Sequence, residues 1–188
     1  MKSFDEIEKL VKASADTTIN HWKHNSLFTP EWWFMLFLFL IPLFLFKRFW
    51  ERKRTYELFL MIFISHTIYG LMEGHLINFM FITYNIRLLP VRHAFIPYLS
   101  SLFPLLTLII ARYGRTWGRY MIGALIVAIL HLCFVQFVLI PFDMLIIFKG
   151  NAWIFFFMNL VALLGGRYIT LKLLAVSAKT KEQTNYGP

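Results

Sequence analysis

The chain has 188 residues, of which 59% are hydrophobic and only 15% are charged. A soluble domain is roughly 45–50% apolar and about 25% charged, so this composition excludes a soluble globular fold and predicts an all-α, multi-pass membrane bundle. The formal net charge of +9 does not indicate nucleic-acid binding, because the basic residues form short clusters between apolar runs, as in loops beside a membrane. The single cysteine, Cys133, can form neither an intramolecular disulfide nor a thiolate metal cluster.

The amino-terminal segment, residues 1–30, is polar and amphipathic. Within it, residues 3–22 carry apolar side chains at spacings of three and four, which predicts a helix: Phe4, Ile7, Leu10, Val11, Ala15, Thr18, Ile19 and Trp22. Ser3 and Glu6 have the spacing of a capping box. We expect this helix to lie in the headgroup plane beside the bundle. The alternative is a soluble helix that packs on loops. No cleavable signal peptide and no lipidation motif are expected.

Five apolar runs follow within residues 31–176 and predict five transmembrane helices. Their bounds are about 32–48, 56–83, 94–112, 117–140 and 152–175. Tryptophans and tyrosines collect at the ends of the runs, as amphipathic rings do at a membrane interface. The first run is short; if it does not span, four helices remain and the amino terminus lies inside. The stretch Pro141–Phe148 is too short to span and predicts an interfacial connection, and residues 177–188 predict a polar cytoplasmic tail.

The distribution of Lys and Arg predicts the orientation. Twelve of the 19 lie in the first and third loops, at the end of the fifth run and in the tail, with the clusters 47–54 and 112–119 among them. Basic loops remain in the cytoplasm. We therefore expect a bacterial plasma-membrane protein with its amino terminus outside and its carboxyl terminus in the cytoplasm.

The second run carries most of the polar residues. His66, Tyr69 and Glu73 share one helical face, and Gly70 and Gly74 form a GxxxG pair that predicts close approach of another helix. These features predict a central position for this helix.

Polar residues on the other runs fall at nearly the same depth as Glu73. These are His131 on the fourth run, Asn159 on the fifth and Ser101 on the third, each on a face of small or helix-breaking residues. Such faces pack inward. We expect Glu73, His131 and Asn159 to converge inside the bundle, with Ser101 nearby and Tyr69 or His66 one turn away toward the cytoplasm. This polar layer is the candidate binding or proton-linked site.

A purely structural interpretation of the layer stays open, because buried carboxyl, imidazole and amide groups also hold membrane helices together. Arg167 is expected to extend its charge to the cytoplasmic interface, with an ion pair to Glu73 as the alternative. Glu73 and His75 lie on opposite helical faces and cannot chelate one metal ion. The sequence contains no motif of a catalytic nucleophile, zinc protease or phosphate loop, so no catalytic residue, metal or cofactor is predicted.

Two stretches resemble a family of small multi-helix membrane proteins of spore-forming Gram-positive bacteria. They are 84–90, read as YNIRLLP, and 96–104, read as IPYLSSLFP, together with the basic loop 47–54. The resemblance covers most of residues 31–175. It implies a bacterial plasma membrane and about five helices; the family has no assigned activity, so it implies no catalytic residue.

Three classes of function remain. The first is a non-catalytic membrane protein that binds the lipid bilayer, a protein partner or a second copy of itself as a subunit of an assembly. The second is a small proton-coupled transporter or permease that uses Glu73. The third is a membrane-embedded enzyme.

Overall fold

The computed structural model describes residues 3–90 and 95–185, with side chains described up to residue 178. Within these ranges the chain is almost entirely helical, and its α-helices are α1 (Phe4–His21), α2 (Pro30–Phe49), α3 (Thr55–Asn78), α4 (Phe103–Tyr113), α5 (Trp117–Phe134) and α6 (Trp153–Asn185). Two short strands are β1 (Ile82–Tyr84) and β2 (Leu145–Ile147). Four basic residues used for the predicted orientation lie outside this description, wholly or in their side chains: Lys2, Arg92, Lys179 and Lys181. Residue 94, where the third predicted span begins, also lies outside the described ranges.

Four helical segments in the described ranges are long and apolar enough to cross a membrane: Pro30–Phe49, Arg52–Asn78, Trp117–Leu139 and Trp153–Ala178. They correspond to the first, second, fourth and fifth predicted spans. The third predicted span forms a shorter apolar helix, Tyr98–Tyr113, in which a π-helical turn runs into α4. At about 1.5 Å per residue, this short helix is roughly 24 Å long, less than the ~30 Å of a hydrocarbon core.

Hydroxyl side chains cap the amino ends of three of the helices. Ser3 accepts the backbone N–H of Glu6 at the start of α1. Thr29 accepts that of Trp32 at the start of α2, and Thr116 caps α5 in the same way. Each hydroxyl satisfies a donor that has no partner inside the helix, which explains why the helices begin at these positions.

The second predicted span is wrong at its carboxyl end, because α3 ends at Asn78 and not at residue 83. Met80 adopts a positive φ of 56°, and the chain then enters β1. This strand pairs in antiparallel register with β2, with Thr83 opposite Ile146. The Pro141–Phe148 connection therefore contains a strand that was not predicted. The two strands form a ribbon that links the loops after α3 and α5.

Helix α6 continues to Asn185, so the predicted polar tail, residues 177–188, is helical over most of its length. Most residues beyond 176 are polar or charged. The change in composition therefore marks the end of the apolar part of α6 and not the end of the helix.

Helix α3 is central: it packs along α6 and also against α4, while α5 packs against α6 and α4. The closest approach is not at the GxxxG pair. A methyl group added at Gly74 would meet nothing within 4 Å, and one at Gly70 would make only ordinary contact with Leu99. At Gly166 on α6, an added Cβ would lie 3.0 Å from the Cα of Ser65. The close helix contact predicted from the sequence exists, but a glycine of α6 makes it.

We expect Gly166→Ala to lower the free energy of unfolding in detergent by about 1–3 kcal/mol, because the added methyl group overpacks the contact between α3 and α6. Gly74→Ala is the matched control and should leave stability unchanged or slightly raise it. Thermal unfolding followed by circular dichroism measures both. Equal melting temperatures for the two variants would contradict the close contact.

Candidate functional site

Glu73 is fully buried in the bundle at 0% exposure. Its Oε1 accepts two hydrogen bonds, from the Tyr84 hydroxyl at 2.6 Å and from the backbone N–H of Phe95 at 3.3 Å. Its Oε2 has no hydrogen-bond partner among the described residues. Among the described residues, the carboxyl group is therefore hydrogen-bonded at Oε1 only.

Tyr84 reaches Glu73 because it is the last residue of β1, where the ribbon brings it over the end of α3. Its ring stacks on the ring of Phe95, with centroids 5.2 Å apart. Burial raises the pKa of the Tyr84 phenol well above its usual range, because the phenolate would lose its hydration. The hydroxyl thus remains protonated and serves Glu73 as a donor.

Phe95 begins the short helix. Its carbonyl accepts the backbone N–H groups of Tyr98 and Leu99, while its own N–H points to Glu73. The amino end of a helix carries unpaired donors and a partial positive charge, which favour a carboxyl group there. Glu73 on α3 therefore caps the short helix from a neighbouring helix.

Asn159 on α6 is the centre of a second group of polar side chains. It is fully buried, and its Oδ1 accepts the Tyr98 hydroxyl at 2.5 Å. Its Nδ2 lies 2.6 Å from Nδ1 of His131 and 2.6 Å from the Phe155 carbonyl. One amide thus joins the short helix, α5 and α6.

The hydrogen bonds of Asn159 fix the proton position on His131. Both amide hydrogens are donated, one to Phe155 and one to the ring, so Nδ1 of His131 must accept and the ring proton lies on Nε2. The imidazole also stacks on the Tyr98 ring, with centroids 3.8 Å apart and planes 13° from parallel. Tyr98 therefore holds both His131 and Asn159.

The other predicted members of the layer differ in position. Tyr69 is fully buried beside the rings of Tyr98 and Phe103, and its hydroxyl has no described partner. Ser101 is buried but donates to the Pro97 carbonyl of its own helix. His66 is half-buried and interacts with the backbone of Leu99.

The structure thus joins His131 to Asn159 directly, while the hydrogen bonds of Glu73 go to Tyr84 and Phe95. The short helix connects the two sets of hydrogen bonds, because the Phe95 carbonyl accepts the backbone N–H of Tyr98. The hydrogen bonds of the predicted layer therefore form two groups of side chains, one around Glu73 and one around Asn159. Ser101 belongs to neither group.

Two tyrosines of the site were missed by sequence reasoning. Tyr84 lies at the end of an apolar run, where the sequence predicts an interfacial ring, and no signal in its surroundings indicates a buried partner, because its position depends on the ribbon. Tyr98 does carry a signal: it lies inside an apolar run, one helical turn before Ser101, where a phenol needs a hydrogen-bond acceptor.

The opposite end of the short helix is held by arginines. Arg54 donates to the Ala111 carbonyl at 3.1 Å, and Arg167 donates to the carbonyls of Gly114 at 2.5 Å and Arg115 at 2.8 Å. Arg167 is 5% exposed, and its guanidinium reaches the loop between α4 and α5, at the end of the bundle toward which the sequence predicts that it extends. Its guanidinium also lies 4.3 Å from the ring centroid of Tyr120. The described contacts of Arg167 do not include Glu73.

The site consists of hydrogen-bond donors and acceptors on packed helices. Among the described residues, a buried oxygen of Glu73 and the buried hydroxyl of Tyr69 have no hydrogen-bond partner. Such a site can hold helices in register or bind a small polar group. Among the described residues, no group of three or more His, Cys, Asp or Glu side chains is placed to hold a metal ion.

Comparison with known proteins finds no match: no protein-family model, curated protein or solved structure is similar to this chain at a significant level.

We expect Asn159→Leu to lower the free energy of unfolding by about 2 kcal/mol or more, because it leaves buried polar groups of Tyr98 and His131 unpaired. Asn78→Leu makes the same chemical change at an exposed position at the end of α3 and should be nearly neutral. Chemical denaturation in detergent compares the two. A loss of the same size in both variants would show that the Asn159 bonds do not hold the helices.

Proposed function

We propose that this protein is a multi-pass protein of the bacterial plasma membrane with five membrane helices, its amino terminus outside and its carboxyl terminus in the cytoplasm. In this proposal it works without catalysis, as a lipid- or partner-binding subunit of a membrane assembly, and α1 lies on the bilayer surface. The observation that carries the proposal is the uncovered apolar face of α1.

None of the residues of α1 is buried. Phe4 is 79% exposed and Val11 is 62% exposed, and the apolar side chains between them are also exposed. A contiguous apolar face on a helix with a charged opposite face is typical of a helix that lies in a membrane interface. Nothing else in the described chain covers this face, so lipid or a partner protein is needed to cover it.

The junction between α1 and the bundle supports the same arrangement. The Trp22 indole donates to the Arg87 carbonyl at 3.0 Å, and the cleft between α1 and Arg87 is lined by Ser14, Thr18 and His21 among others. By the helical period, Ser14 and Thr18 lie on the same face as Ile7 and Val11. Beyond its contact with the loop that contains Arg87, α1 therefore directs its apolar residues toward the side on which the bundle lies. In the proposed arrangement, the lipid around the bundle lies on that side too.

The bundle itself has the surface of a membrane protein. Helix α2 exposes Phe37, Ile41 and Phe44, the last at 80%, and its charged side chains are confined to its ends. The Trp32 indole at its start donates to the Leu88 carbonyl. This anchors α2 to the same loop that holds α1, which places both at one end of the bundle.

Single cysteines in a Cys133→Ala background test the proposal with an impermeant thiol reagent. Lys9→Cys and Pro90→Cys should react in intact cells, because both positions face external water. Val11→Cys should be protected, because lipid covers it, and Arg115→Cys should react only after lysis. Comparing positions 9 and 11 tests the orientation of α1 on the bilayer, while 90 and 115 report the sidedness of the bundle.

Two patterns would contradict the proposal. Equal reaction at positions 9 and 11 in intact cells would show that the apolar face of α1 is open to water. Reaction at position 115 before lysis, with protection at position 90, would reverse the orientation; equal reaction at both would overturn the number of spans.

A further inference from the structure

A cleft of about 510 Å³ lies at the end of the bundle opposite α1. It is lined by residues of two segments: Trp50, Glu51, Arg52 and Lys53 from the loop between α2 and α3, and Arg112, Tyr113 and Arg115 from the end of α4. We call this the cationic cleft, because it combines four basic side chains with one carboxylate.

The walls of the cleft are fixed to each other. Arg112 donates to the Arg48 carbonyl at 3.0 Å, Arg115 donates to Glu51 at 3.1 Å, and Arg54 beneath the cleft donates to the Ala111 carbonyl. These hydrogen bonds join residues more than fifty positions apart in sequence and fix the shape of the cleft. Such contacts distinguish this site from the scattered basic residues at the ends of most membrane helices.

Glu51, the carboxylate that lines the cleft, already pairs with two arginines. One oxygen of Glu51 pairs with Arg115 and the other with Arg54 at 3.4 Å. Arg52 and Lys53 have no carboxylate partner among the described residues, and both are exposed. The cleft thus has a surplus of positive charge that nothing in the described chain neutralises.

The end of α4 would ordinarily repel an anion, because a helix carboxyl end carries a partial negative charge. Here Arg54 and Arg167 already bind the carbonyls of Ala111, Gly114 and Arg115. Their guanidinium groups offset that partial charge, so the cleft remains favourable to an anion.

We infer that the cationic cleft binds a phosphate group, and specifically the headgroup phosphate of an anionic phospholipid. Arginine and lysine are the side chains that bind phosphate, and basic pockets between membrane helices bind anionic headgroups. Trp50 and Tyr113 are the aromatic types found at headgroup depth. In the first two turns of α3, which follow Lys53 in the chain, Tyr56 and Phe59 are 67% and 61% exposed, which provides an apolar surface for the acyl chains. The inference rests on the proposed membrane location.

The test uses the full chain in a neutral detergent, titrated with short-chain phosphatidylglycerol, and follows the melting temperature. A lipid that binds the folded state raises this temperature. Phosphatidylglycerol should stabilise the protein, while phosphatidylcholine of the same chain length and inorganic phosphate should not. Inorganic phosphate acting as well as the lipid at equal concentration would overturn the lipid assignment, as would phosphatidylcholine acting as well.

Arg52→Gln/Lys53→Gln should weaken phosphatidylglycerol binding about thirty-fold, since each basic side chain near an anionic group contributes roughly a factor of five. The matched control is Lys47→Gln/Arg119→Gln, which removes the same charge from exposed positions outside the cleft and should leave binding unchanged. Equal weakening in both variants would overturn the inference, because it would show a general charge effect.

Glu51→Gln supplies a test in the opposite direction. It releases Arg115 from its carboxylate and should tighten phosphatidylglycerol binding; unchanged or weaker binding would overturn the inference. The two proposals can fail separately. Absence of lipid binding with the expected cysteine labelling would reject the cleft alone, and reversed labelling with intact lipid binding would reject the orientation alone.

Discussion

Both ends of the short helix Tyr98–Tyr113 are bound by side chains from other segments, which satisfy backbone groups that a helix end leaves free. Glu73 satisfies the amino end by accepting the Phe95 N–H. At the carboxyl end, Arg54 and Arg167 bind the exposed carbonyls. A carboxyl group at the amino end and guanidinium groups at the carboxyl end are the partners that the helix dipole favours. Glu73 comes from α3, Arg54 from the turn just before α3, and Arg167 from α6, so these contacts fix the short helix against the central pair of helices.

This arrangement bears on what Glu73 does. A carboxyl group that caps a helix and accepts the Tyr84 hydroxyl has a structural role even if no proton or ligand ever reaches it. The permease hypothesis stays a prediction, and it draws its support from the Oε2 of Glu73 and the hydroxyl of Tyr69, which have no hydrogen-bond partner within residues 3–90 and 95–178. The side chains of Tyr98, Asn159 and His131, by contrast, are hydrogen-bonded to one another. Such pairing is typical of side chains that hold membrane helices together.

The sequence predicted what depends on local pattern. The apolar runs, the capping residue Ser3 and the central position of α3 all follow from composition, spacing and helical period. It did not predict what depends on contacts between distant segments. The ribbon of β1 and β2 pairs residues about sixty positions apart, and so it ends α3 early and brings Tyr84 to Glu73. The close contact at Gly166 likewise depends on which face of α6 meets α3, and an isolated glycine motif does not reveal that.

The most direct test of this account compares Glu73→Gln with Glu73→Leu. The amide oxygen of glutamine can still accept from Tyr84 and Phe95, whereas leucine leaves both buried donors unpaired, at about 1–3 kcal/mol each. Equilibrium unfolding in detergent should therefore show a small loss for Glu73→Gln and a loss of about 2 kcal/mol or more for Glu73→Leu. If Glu73→Leu is as stable as the natural protein, or if both variants lose the same stability, Glu73 does not hold the amino end of the short helix.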